Sequence, residues 1–539
     1  MKKTGPITLL PAIALLAPFT FAQQPGFDLA DVHLSNTPRW FAQNNGGSVR
    51  DGRYVNRDAT LLQLIEAAYS VTEDNVAGGP GWLDTDIFDV IAKVPDGTTP
   101  ATAKLMLQSL LAERFGLVAR NDKAPLPRFV LTVGKGGSKL KPATGSGDGG
   151  CQQQQVGGAP GRADVRDPSS LPNIKATCHN LTSGQIAENL HQMAGGPINT
   201  YLPREVFDST GLEGKWDFEL EFTPIAILDL KGHDGIPLAE AVAKQLGLNL
   251  ELKDVPVPAL VVESANRKPT PNPPGVSTNL GLAAARFEAA VIKPANPDER
   301  VPGGFRGSEL RFVANLKNLI AQAFFIQPNA QDDEIIGLPK SAISQRWDIT
   351  AKLPATGDGA PVAGGLRPQP PQRTVVMEMM RGLLADQFEM KVHRENREVT
   401  VYAMTVSGKP KMTQALGTER MSCKADPNAV KPFPDMVTMV RCTNITMAEF
   451  AENLEQVTGY FDHPIVDATG LKGGWNFLFG FSRNQAPRPP NAGQPGDAAD
   501  SIGMTSYEAV ERMLGVKLVK QKRSIPVIVV DHIDDKPVE

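Results

Sequence analysis

The chain has 539 residues, with 55 basic against 59 acidic side chains and a formal net charge of −4. That balance leaves no electrostatic footprint for a nucleic-acid backbone, and the length exceeds what one hydrophobic core usually serves. Glycine (50) and proline (45) are abundant, and they gather in segments that read as loops.

Met1-Lys2-Lys3 is followed by an apolar stretch, Ile7 to Phe21, broken by Pro11 and Pro18, and then by Ala22. This order of basic, apolar and small residues predicts a secretory signal peptide over residues 1–22, cleaved after Ala22. An anchoring helix would need roughly 20 apolar residues without such breaks. No other apolar run reaches that length, so no membrane span is expected after cleavage, and the mature protein is expected in the periplasm or outside the cell.

In the first half, Thr60 to Tyr69 carries apolar residues at helical spacing and Ile87 to Val94 alternates as a strand. Ala103 to Phe115 reads as a second helix stopped at Gly116, followed by strands Leu117 to Ala119 and Arg128 to Val133 around Pro125 and Pro127. A third helix opens at Thr182, where Thr182-x-x-Gln185 has the form of a capping box. Trp216 to Phe222 places Trp216, Phe218, Leu220 and Phe222 on one face of a strand. A last helix, Ala239 to Leu246, ends at Gly247 and leads into strands Leu248 to Leu252 and Ala259 to Val262. Helix-strand-strand units of this kind indicate an α+β fold, with helices packed on antiparallel or mixed sheets.

The second half is the first written again. Val206-Phe-Asp208-Ser-Thr210-Gly211-Leu212-Glu-Gly214-Lys-Trp216 returns as Ile465-Val-Asp467-Ala-Thr469-Gly470-Leu471-Lys-Gly473-Gly-Trp475, about 260 residues later. Phe88 to Pro95 pairs with Trp347 to Pro354, Leu110 to Phe115 with Leu383 to Phe388, and Pro258 to Pro269 with Pro526 to Pro537, all in collinear order. This is a tandem duplication. It predicts two homologous domains, residues 23–265 and 286–539, joined by a Pro-rich linker over 266–285. Lys141 to Pro172, Pro354 to Gln372 and Asn484 to Asp500 are rich in Gly, Pro, Ala or Gln and read as unstructured.

Four cysteines fall two per half: Cys151 and Cys178, then Cys423 and Cys442, each second one opening a matched Cys-x-Asn-x-Thr phrase. An even count at matched positions in an exported chain points to one disulfide per half, although four cysteines formally allow three pairings. Zinc would need close C-x2-4-C pairs with partner histidines, which neither half has, so no metal site is expected.

The phrases D-x-T-G-L-x-G-x-W-x-F, L-L-A-[ED]-x-F and the ending L-G-[LV]-x-L…[IV]-x-V-V resemble a family of exported bacterial proteins of unknown function, the DUF3738 family. The resemblance covers nearly all of the mature chain twice. It implies a soil bacterium, the family being abundant in acidobacteria. Some members are fused to membrane metallopeptidase-like regions similar to antibiotic sensors, which implies extracytoplasmic sensing; this chain has no such region. The family supplies no catalytic residues to carry over.

Candidate chemistry is sparse. Asp208-Ser-Thr210-Gly211 and Asp467-Ala-Thr469-Gly470 evoke aspartic protease loops, but a residue intervenes between Asp and Thr, and a turn whose side chains bond nearby amides is the simpler reading. The seven histidines never coincide between halves, which excludes a shared histidine site. No H-E-x-x-H, G-x-S-x-G or G-x-x-x-x-G-K-[ST] occurs. Trp216 and Trp475 read as core residues at the start of strands rather than as sugar platforms. The sequence therefore predicts a non-catalytic binding or sensing protein of the bacterial envelope, without cofactor, whose partner is an envelope protein or a small extracellular ligand. The alternative is a hydrolase with its site in the groove between the halves.

Overall fold

The computed structural model describes residues 25–39, 42, 44, 46–145, 147–157, 172–194, 201–202, 204–224, 235–280, 285–296, 303–326, 334–355, 371–415, 420–426, 438–458, 461–481 and 505–538. The signal-peptide segment, His233, and most of the stretches following Pro354 and Asn484 lie outside them.

Among these residues the two repeats contain the same three four-stranded sheets in the same strand order. In the first repeat, an antiparallel sheet runs Leu29–Leu34, Ile87–Lys93, Arg53–Thr60, Ser48–Arg50. Helices Leu61–Tyr69 and Pro100–Phe115 supply much of the core packed on it. Both start where the side chains demand. Thr60 and Gln63 close a capping box, and Thr99 accepts the Thr102 amide ahead of Pro100. Gly116 ends the second helix at φ 55°. Leu61, Leu64, Ile65, Phe88 and Phe115 are fully buried here and form the core of an N-lobe.

A second sheet, Lys141–Pro142, Trp216–Phe222, Asn173–Leu181, Gly150–Val156, carries helix Ser183–Ala194 and builds a C-lobe. The capping box is present in both copies: the Thr182 amide donates to Gln185 Oε1 at 3.0 Å and the Gln185 amide to Thr182 Oγ1 at 3.3 Å, with Thr446 and Glu449 equivalent. Asn180 and Asn444 precede these helices at φ 57° and 49°, at register shifts in the sheet. Asparagine tolerates that left-handed conformation.

The third sheet joins the lobes. Val118–Val133 is one continuous strand through Pro125 and Pro127, and Leu248–Ser264 runs antiparallel to it over nearly its whole length. The sequence pattern predicts two short strands for each. Its prolines lie in the middle of this ribbon, where each strand has a free edge. The short parallel strands Val206–Asp208 and Val76–Gly78 flank only its two ends. A missing N–H is tolerated at an edge, so the ribbon is not interrupted. Leu131 and Leu248 belong to the C-lobe core while Leu260 and Val262 belong to the N-lobe core. Lys391–Val406 and Val516–His532 form the same ribbon in the second repeat. A Cβ on Gly247 or Gly515 would stand 2.2 or 2.6 Å from a backbone carbonyl, so the turn into the second ribbon strand requires glycine in both copies.

Two further expectations change. Gly150–Val156, within the segment read as unstructured, is an edge strand paired with Asn173–Leu181. The chain from Asn266 to Leu280 connects the repeats but is fixed to the first. The buried Arg114 guanidinium donates to Thr270 O (2.6 Å) and Asn272 Oδ1 (2.6 Å), and the Val32 amide donates to Asn272 Oδ1 at 3.0 Å.

Cys151–Cys178 and Cys423–Cys442 are disulfides, each joining directly opposed residues of adjacent antiparallel strands with Cα atoms 4.1 Å apart. Cys423→Ser is expected to lower stability by roughly 3 kcal/mol, because the bridge removes unfolded-chain entropy. Chemical denaturation of the variant measures this, and non-reducing peptide mapping checks the pairing. A peptide linking the two repeats would overturn it.

Candidate functional site

The aspartate turns are closed on themselves. Asp208 Oδ1 accepts the Thr210 amide at 2.9 Å and its hydroxyl at 2.7 Å, and Thr210 Oγ1 accepts the Leu212 amide at 3.3 Å. Asp467 Oδ1 does the same with Thr469 at 2.9 and 2.7 Å, and Thr469 Oγ1 accepts the Leu471 amide at 3.1 Å. Gly211 and Gly470 follow at φ 65° and 69°. Burial raises the Asp208 carboxyl, but hydrogen bonds from Ser183 and Thr210 together outweigh it and hold it below the ordinary carboxylate range. Each turn hands the chain to its tryptophan strand. Trp216 packs on the first C-lobe core and Trp475 on the second; both indole N–H groups are buried without an acceptor among the described residues. The structure does not bring the two aspartates together in one hydrogen-bonded pair.

The ionisable groups that do gather lie where the repeats meet. Edge strand Ser422–Ala425 of the second repeat lies beside the first N-lobe. Arg420 donates to the carbonyls of Val76, Gly78 and Glu73, Lys424 Nζ reaches Glu73 Oε1 at 2.5 Å, and the Met421 amide donates to Gly81 O at 3.2 Å. Behind this contact is a cavity of about 340 Å³ lined by Arg39, Asp58, Glu66, Asp84 and Lys424. Burial raises the carboxyls of Asp58, Glu66 and Asp84 and lowers the guanidinium groups of Arg39 and Arg420. Asp58 sits on a bulge at φ 54°, is 2% exposed, and has one oxygen on the Ser35 hydroxyl (2.7 Å) and the other without a hydrogen-bond partner.

A neighbouring cavity of about 370 Å³ opens between the two lobes of the second repeat, under its ribbon, and is closed on one side by Pro38 of the first. Phe324, Phe325 and Ile326 come from the N-lobe, Arg394 and Pro526 to Ile528 from the ribbon, and Glu452 and Glu455 from helix Met447–Thr458. Burial, with repulsion from Glu452, pushes the Glu455 carboxyl up to about 7, although it accepts the Ile465 amide at 3.3 Å. Among the described residues the lining contains no Ser, Cys, Thr, Lys or His. The size and the mixture of apolar walls with a few convergent charges are those of a small-molecule site.

Neither cavity was legible in the duplication, because its lining mixes residues the copies share, such as Glu452 with Glu188 and Pro526 with Pro258, with residues they do not. Glu455 stands where the first repeat has His191, whose Nδ1 bonds Leu202 O at 3.1 Å. The signal was there in one form only: an ionisable residue facing an unlike one at a matched position. On the second repeat's surface, His532 Nε2 lies 3.4 Å from Asp534 Oδ1 and 3.8 Å from Glu389 Oε2, an exposed grouping of ligand types whose contacts are those of ion pairs.

Asp208→Ala and Asp467→Ala should each lower stability by about 0.5–2 kcal/mol through loss of the turn bonds. Urea unfolding with midpoints equal to the parent's would show the turns to be dispensable. Glu455 gives a pH signature. Between its ordinary value of 4.5 and about 7 the folded chain holds a proton that the unfolded chain has released, so this group makes stability fall as pH rises through that window. The melting temperature of Glu455→Gln should therefore decline less than the parent's from about pH 5 to 7.5. Parallel curves would contradict the assignment.

The comparisons with known proteins agree with the duplication. The family model described as a protein of unknown function, DUF3738, matches residues 62–265 and again 317–533. No curated protein and no solved structure matches the chain. With two matches that together span most of its length, and each falling on one copy of the three-sheet repeat, the chain belongs to the DUF3738 family as a tandem pair.

Proposed function

We propose that the chain is an exported, non-catalytic binding protein of the bacterial envelope that takes a small ligand in the cleft where its repeats meet, with 23–265 and 286–539 as its two domains. The observation that carries this reading is the pair of neighbouring cavities walled by both repeats, in which a few buried charged groups converge. Export is supported by the signal-like residues 1–22 and by the two disulfides, which persist in oxidising compartments. No helix among the described residues is long and apolar enough to cross a membrane.

One observation favours hydrolysis as the second reading. Glu455, with a carboxyl poised near 7 beside Glu452, has the form of a general acid paired with a second carboxylate.

The two readings separate in one experiment on the mature chain. Thermal-shift titrations with amino acids, dipeptides, sugars and organic cations should give saturable stabilisation by one class, about 2.7 kcal/mol at a hundredfold excess over Kd. That ligand should be recovered chemically unchanged. Turnover of peptide, ester or glycoside substrates that disappears in Glu455→Gln would replace binding with hydrolysis.

A further inference from the structure

The gap between the lobes is bridged by an arginine in one repeat and holds a cavity in the other. In the first repeat the ribbon residue Arg128, 1% exposed, spans the gap, donating to Asp74 O at 3.1 Å and Asn75 Oδ1 at 2.5 Å, while Arg204 pairs with Asp74 at 2.7 Å. Strand pairing fixes the equivalent of Arg128. Phe129 opposes Val206 just as Tyr402 opposes Ile465, so Val401 occupies its place in the second repeat. Valine cannot span the gap. The cavity of about 370 Å³ lies on that side of the molecule, between the second repeat's lobes.

Its ionisable groups are Glu334, Glu452 and Glu455 with the single guanidinium of Arg394. Glu452, one helical turn from Glu455, adds repulsion to the burial that disfavours Glu455's ionisation. Arg394 makes no hydrogen bond or ion pair to any described residue, and it lies close enough to Arg381 to disfavour that guanidinium's charge. A cation arriving at the glutamates removes the first repulsion and an anion arriving at Arg394 removes the second. The rings of Phe324 and Phe325 line the same cavity, with the Arg381 guanidinium 5.8 and 5.7 Å from their centroids. Phe325 is held at φ 60°, where the first repeat has Ser70 at φ 56°. An aromatic side chain in the left-handed region costs on the order of 1–3 kcal/mol and persists where the surroundings fix it.

We propose that the second repeat is the ligand-binding copy and that its interlobe cavity takes a small zwitterion with an apolar body, the chemistry of a dipeptide with both termini free. The amine sits at Glu452 and Glu455, the carboxylate at Arg394, and the side chains on Phe324 and Phe325. This rests on the binding reading above and narrows it to a ligand class and one cavity.

Isothermal titration of the mature full chain with leucyl-phenylalanine, its N-acetyl form and its C-terminal amide provides the test. The free dipeptide should bind, and each cap should weaken binding by about tenfold or more, the scale of a lost charged contact. In Glu455→Gln the acetyl penalty should shrink, and in Arg394→Leu the amide penalty should shrink, each without the other. Equal binding of capped and free forms, or both penalties surviving in these variants, would overturn the assignment. Failure of every dipeptide while another class stabilises the chain would refute this inference and leave the binding reading standing.

Discussion

The long antiparallel ribbon is the constraint on which the rest of each repeat depends. A strand of 17 residues at about 3.3 Å per residue is roughly 55 Å long, far longer than one small core. Its two ends are therefore buried in two different lobes. A two-stranded ribbon is marginal by itself. It is stable here because Leu260 and Val262 are anchored in one core and Leu131 and Leu248 in the other. Its middle has only small apolar patches, Ala77, Ala124 and Ala259 in the first repeat and Val399, Val401 and Val527 in the second. A gap between lobes follows from the geometry, and what fills it is a local choice of side chain.

Duplication let the copies make different choices. Arg128 bridges the first gap; the second repeat has Val401 at the matched position and a cavity between its lobes. The contact between repeats is just as one-sided. The edge strand that grips the first N-lobe carries Arg420, Met421 and Lys424; opposite the matched disulfide positions, the first repeat has Asp148, Gly149 and Gln152. A free edge of that kind would otherwise let further copies add head to tail. The first repeat's edge lacks the basic anchors and the buried methionine of this grip.

How much of this was legible follows from how local each signal is. Capping boxes at Thr182 and Thr446, the glycine stops at Gly116 and Gly247, and the Asp208 and Asp467 turns are written within a few residues, and the structure places them where the sequence does. Cysteine pairing was legible because both copies carry it. The continuous ribbon was not. Proline reads as a strand breaker unless one knows that both strands are edges at that point, and this depends on partners more than 100 residues away. Gly150–Val156 was hidden for a related reason. Its exposed glutamines have no period-2 apolar pattern, and register comes from the opposed cysteines instead. The docking of Asn272 onto Arg114 and Asp31 lies in a Pro-rich stretch whose composition signals only a connector.

The cavities were illegible for a deeper reason. Comparing the two copies selects what the fold needs, and scaffold residues dominate what survives. A site that belongs to one copy shows up as disagreement: glutamate against histidine at 455 and 191, phenylalanine against serine at 325 and 70. These positions also come from separate lobes, so only the folded ribbon brings them together. That placement has a consequence for any occupant. A molecule in the second repeat's gap touches the N-lobe through Phe325, the C-lobe through Glu455, the ribbon through Arg394 and the first repeat through Pro38. Four pieces otherwise joined by the ribbon and the contact between repeats would share its binding energy. Whatever affinity the site has is thereby linked to the angle between lobes and to the contact between repeats.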